Sequence, residues 1–164
     1  MSRKTLAVAL LVAVLSALAA YGRPSRPEPV EPAAASSSAG PPAVELLRAW
    51  DERRAEAWAR GDPGLLRPLY THGSLAGRHD RAMLRAWVAR GLVVQGLDTQ
   101  LLSVRELAHT ATSWTLEVTD RIAAGVAVGR DGRRPLPHDQ ATTRTVSLRR
   151  VDGEWRVAAV RPVG

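Results

Sequence analysis

The chain predicts an α+β fold, with helices packed against one face of a curved antiparallel sheet. Three observations predict it. From Val44 to Val88 apolar residues recur at helical spacing, and after Gly91 the period drops to two. Asp152-Gly153 then forms a two-residue turn between the last two alternating runs. Helices first and strands afterwards is the α+β order.

The first helix is read in VELLRAWDERRAEAWARG, where Leu47, Trp50, Ala57 and Trp58 share one face and Gly61 ends it. Asp62-Pro63 restarts the chain as N-cap and first helical residue of a short second helix. Leu65, Leu66, Leu69 and Tyr70 form its buried side. HGSLAGRHD, residues 72–80, follows. Gly73 and Gly77 predict a turning loop here, with Asp80 capping a third helix that buries Met83, Leu84, Trp87 and Val88 before Gly91 stops it.

Strands are predicted over residues 92–98, 100–109 and 113–122. The third continues through AAGVAVG past a bend or bulge at Gly125. GRDGRRPLPHDQ is predicted as a loop before the strand ATTRTVSLRRV, and EWRVAAV closes the hairpin. His138 and Asp139 fall in that loop and are expected at the surface.

The N-terminus lies outside this domain. Arg3 and Lys4 precede the uncharged run Thr5 to Ala20, a targeting or anchoring segment over residues 1–21 and expected as a hydrophobic helix. Two fates stay open. Ala17-Leu18-Ala19 fits a signal cleaved after Ala19, giving a secreted protein. Alternatively the segment is retained as a signal-anchor, placing the C-terminal domain outside the cell membrane. A run of this length spans about 24 Å as helix, against ~30 Å of hydrocarbon, and Tyr21 at its end suits the interface. Residues 22–43, rich in Pro, Ala and Ser, lack any apolar period and read as a spacer before the domain at 44–164.

Composition excludes several classes. The chain has no cysteine, hence no disulfide, thiolate metal site, cysteine nucleophile or lipoprotein anchor. Its formal charge is +7, but residues 44–164 interleave 19 arginines with 14 acidic residues rather than forming a basic stripe. No nucleic-acid partner is therefore expected. No glycine-rich phosphate loop and no metal-ligand spacing occurs, so no cofactor and no metal are expected. Ser74, two residues from His72, lacks the elbow of a nucleophilic serine, and His72, His79 and Asp80 lack the helical spacing of metal ligands.

The helical segment AWDERRAEAWARGDPGLLRPLYTHGS, with the meander ending TVSLRRVDGEWRVAAV, resembles the nuclear transport factor 2-like superfamily over about residues 44–161. That group includes SnoaL-like polyketide cyclases, ketosteroid isomerases and exported actinobacterial domains. The resemblance implies a cone: a curved antiparallel or mixed sheet wrapped around the N-terminal helices, with a pocket inside and a homodimer through the convex sheet face. Enzymes of the group carry an acid or histidine just after the second helix. LYTHGSLAGR lacks the acid and offers only His72 there, a departure from the pattern of the group's enzymes.

Strand parity supplies the candidate site. Asp120 shares a face with Trp114, Leu116, Val118 and Ile122, and Arg144 shares one with Val146 and Leu148. A buried carboxylate needs a cation, so Asp120 is expected to meet Arg144, or failing that Arg54. Ligand-pocket candidates are Arg54, Trp58, Trp114, Asp120 and Arg144, with Asp120 the one catalytic candidate. The functional expectation is a non-catalytic binding domain for a small hydrophobic ligand or an envelope protein partner. The alternatives are a cyclase- or isomerase-type enzyme using Asp120 as acid/base, and a purely structural envelope domain with a filled cone.

Overall fold

The computed structural model describes residues 41–137 and 140–163. The hydrophobic segment at residues 5–20, most of the spacer, and His138 and Asp139 lie outside the described residues. Two helices and five antiparallel strands form an α+β fold with a curved open sheet.

Helix α1 (Pro41–Arg60) starts three residues before Val44 and buries Ala43, Leu47, Ala57 and Trp58. Gly61 ends it at φ +65, where a side chain would be strained. The short second helix is reduced to one 3-10 turn, Arg67–Leu69. The prolines at 63 and 68 fix φ but donate no backbone hydrogen bond, so an α-helical ladder has little to build on. Leu66 and Leu69 nevertheless enter the core, as expected of that side.

Helix α2 (Leu75–Val88) corrects the reading of HGSLAGRHD. Ser74, not Asp80, is the N-cap, its Oγ accepting from the Gly77 amide at 3.3 Å. Gly77 does not turn the chain. It lies inside the helix because the Tyr70 ring packs there, and a Cβ at this position would stand 2.6 Å from Tyr70 Cγ. Asp80 becomes an interior residue on the same face as Leu84 and Trp87, all three buried.

The sheet runs β1 (Val93–His109), β2 (Ser113–Gly129), β4 (Thr142–Val151) and β5 (Glu154–Pro162), with β3 (Gly132–Pro135) pairing the far end of β2. Among the described residues every strand pair is antiparallel, the first of the two arrangements expected, and parallel pairing is confined to an isolated Tyr70–Val157 bridge. The two strands expected at 92–98 and 100–109 are one, β1 (Val93–His109), bent by register shifts against β2 (Ser113–Gly129). Gly96 and Leu97 together oppose Gly125, so the irregularity expected at Gly125 lies across from it, with Gly96 at φ +60. Leu102 and Leu107 are the extra residues at two further shifts, which turns both leucines outward. The loop after Gly129 contains β3 (Gly132–Pro135), then β4 (Thr142–Val151) and β5 (Glu154–Pro162) close the sheet. Asp152 and Gly153 both take positive φ, the geometry of the predicted hairpin turn.

Candidate functional site

The sheet curls over α1, while α2 packs against β5 and closes one side. Between them lies a cavity of about 600 Å³. Leu47, Trp50 and Trp58 of α1, and Leu101, Val118 and Ile122 of the sheet, contribute apolar wall. Volumes of this size suit small-molecule ligands.

Two polar groupings are set into this wall. In one, Asp80 accepts four hydrogen bonds. Arg54 donates from Nε and Nη2, each at 2.9 Å, Tyr70 from its hydroxyl at 2.8 Å and Trp58 from Nε1 at 3.1 Å. Burial alone would raise the Asp80 pKa, but the Arg54 charge and the hydrogen bonds outweigh it and hold the carboxyl below its usual range. The Arg54 guanidinium, disfavoured by burial, is held charged by Asp80. Burial, with Asp80 beside it, pushes the Tyr70 hydroxyl well up. These groups form a closed, satisfied network that ties α1 to α2.

In the other grouping, Arg144 Nη2 donates to Asp120 Oδ1 across neighbouring strands. Pairing of Val118 with Arg144 and of Asp120 with Thr142 places the two side chains diagonally on the concave face. Asp51 of α1 and Thr99 of β1 line the cavity with them. Burial pushes the Asp51 carboxyl up to about 7; Arg54 opposes this, Asp120 adds to it, and Arg144 and a hydrogen bond with Thr99 oppose it. Among the described residues no arginine closes an ion pair on Asp51.

Four of the five pocket candidates, Arg54, Trp58, Asp120 and Arg144, line the cavity. Trp114 does not. It is buried elsewhere on the sheet, stacked on His109 at 4.3 Å and packed near Trp155, with its Nε1 donating to Glu106 at 2.8 Å. Parity places Trp114 on the concave face but not how far along it the cavity reaches. Arg54, the second choice of partner for Asp120, is committed to Asp80 instead. His72 is exposed and lies outside the cavity wall, whereas His79 stands at its exposed rim.

Asp51 and Asp80 are the site residues that sequence reasoning missed. The signal for Asp51 was its spacing: Leu47, Asp51, Arg54 and Trp58 follow one another by four, three and four residues, on one helical face. Asp80 stands four residues before Leu84 and seven before Trp87. Among the described residues no group of three potential ligands could hold a metal, and no helix is long and apolar enough to cross a membrane.

No family model matches the chain, and no curated protein matches it. Solved structures do resemble it. The intermembrane-space region of the chloroplast protein ARC6 superposes with a TM-score of 0.55 at 11% identity, covering 75% of this chain and 95% of that one. Aln2 from a Streptomyces species gives 0.51 at 12% identity, over 76% and 92%. A protein of the NTF2-like family from Streptomyces avermitilis gives 0.47 at 19% identity, over 74% and 97%. Likeness at such identity concerns the fold alone.

Proposed function

We propose that this chain is a binding domain, exported or held at the membrane by residues 5–20, that takes a small and largely apolar ligand into its cone. The observation that carries this reading is the largely apolar cavity of about 600 Å³ with a partly buried carboxyl, Asp51, in its wall. A fold kept only for structure would gain by filling such a space, since apolar wall left in contact with water forfeits the stabilisation that burial brings. It would gain equally by replacing Asp51, whose charged form is disfavoured by burial. Both features are costs to the fold, and ligand binding accounts for both.

The test uses the full chain and Nile red, a neutral apolar dye. The reading predicts saturable binding of one dye per chain, lost when Ala159→Trp fills the cavity. Dye fluorescence unchanged by Ala159→Trp would assign binding to another surface, such as the N-terminal apolar run, and end the reading.

One observation favours a second reading, acid/base chemistry of the cyclase or isomerase type. A carboxyl titrating at about 7 can both accept and release a proton near neutrality. Asp120 was the sequence candidate for this role, but its carboxylate is engaged by Arg144, so Asp51 suits it better. A β,γ-unsaturated ketone offered as substrate should then isomerise with a rate that rises through about pH 7 and is lost in Asp51→Asn. An equal rate in that variant would exclude Asp51 as the base.

A further inference from the structure

The charges around the cavity do not balance group by group. Asp80 accepts two hydrogen bonds from Arg54, and Asp120 accepts one from Arg144. The remaining carboxyl, Asp51, has the neutral side chain of Thr99 as its hydrogen-bond partner. The groups facing it come from every surrounding element. They are Arg54 on its own helix, His79 and Asp80 on α2, Asp120 on β2, Arg144 on β4 and Arg161 on β5. Of these, His79 and Arg161 stand at the exposed rim, where water screens them. Both inner arginines already face a carboxylate of their own. A cation arriving in the cavity would thus meet two neutralised pairs and one carboxylate lacking a countercharge.

We infer that the ligand class is a lipophilic amine, its apolar body in the cone and its ammonium set against Asp51. This rests on the cavity-binding reading above and adds the charge of the ligand to it. An alkyl or polycyclic ammonium supplies the missing countercharge in a half-buried site with apolar walls, where an ion pair is stronger than at a fully exposed surface. A carboxylate-bearing ligand would instead bring a second anion beside Asp51.

The ammonium requires ionised Asp51, so binding is linked to its proton. With the carboxyl at about 7, affinity should fall as pH drops through that value. The loss approaches about tenfold for each pH unit below it.

The experiment titrates the full chain with 1-adamantylamine, 1-adamantanol and 1-adamantanecarboxylate, which share one apolar cage, and reads heat or Trp fluorescence. The expected result at pH 8 is an amine bound about tenfold or more tightly than the alcohol, and the carboxylate weakest. The amine advantage should shrink by about tenfold between pH 8 and pH 6. In Asp51→Asn the amine-to-alcohol ratio should collapse to within about threefold. Alcohol bound as tightly as amine, or an amine advantage that ignores pH, overturns the amine inference and leaves the cavity reading standing. Binding of none of the three overturns both. The pH series on the unmodified protein decides the matter even where Asp51→Asn fails to fold.

Discussion

Asp51→Asn should make the protein more stable at neutral pH and leave its stability in acid nearly unchanged. The folded chain raises the Asp51 carboxyl from 3.8 to about 7. The native state therefore holds a proton that the unfolded chain has released over that interval, and stability falls as pH rises through it. Below the unfolded value both states are protonated and the effect vanishes. Each pH unit corresponds to about 1.4 kcal/mol, so the full shift sets a ceiling of roughly 4 kcal/mol. Asp51 is only partly buried and water can enter the cavity, which reduces the expected gain to about 1–3 kcal/mol. For a domain of this size that is several degrees in Tm. Urea unfolding of both proteins at pH 4 and pH 8 measures it. Equal stabilities at pH 8, or a gain that is larger at pH 4, would refute the account of Asp51 as a desolvated carboxyl.

Asp80→Ala should cost about 3–5 kcal/mol, because it strands the Arg54 charge and leaves the Trp58 and Tyr70 donors unmet. Loss of a simple helix cap would cost only about 1 kcal/mol, so denaturant unfolding separates the two roles. Gly77→Ala should cost about 1–3 kcal/mol in urea unfolding by driving a methyl into the Tyr70 ring, and an unchanged midpoint would refute that contact. Trp114→Leu should lower the melting temperature yet leave Nile red affinity within about twofold, since Trp114 lies away from the cavity. A large loss of dye affinity there would mean that the cavity extends to the His109 end of the sheet.

The pairing of Asp120 with Arg144 was legible in the sequence because strand parity is rigid: alternate residues share a face, and both charges were in phase with apolar neighbours. Helical positions were harder. In α1 the apolar residues alone account for a buried face, so Asp51 was not singled out, although its spacing from Leu47 and Trp58 places it inward. Asp80 was hidden by a conflict of local signals. Two nearby glycines ordinarily mark a turn, but Gly77 serves the approach of the Tyr70 ring, a contact between segments that local spacing does not encode. The division of β1 into two strands failed for a similar reason. Bulges at Gly96, Leu102 and Leu107 break the alternation while the hydrogen-bonded strand continues, and they supply its curvature. Whether curvature leaves a cavity or a packed core depends on how far the sheet stands from α1, which the residue pattern leaves open.

On the proposed function, the cone interior rather than any outer surface receives the ligand. Methyl-resolved NMR of the full chain during titration with 1-adamantanol tests it most directly, because β1 carries its own control. Leu101 lines the cavity, while Leu102 beside it is turned outward with 47% of its surface exposed. The account predicts saturable shifts at Leu101, Val118 and Ile122 with Leu102 and Leu107 unmoved. Shifts confined to Leu102, Leu107 or Val88, or no shifts at saturating ligand, would contradict it.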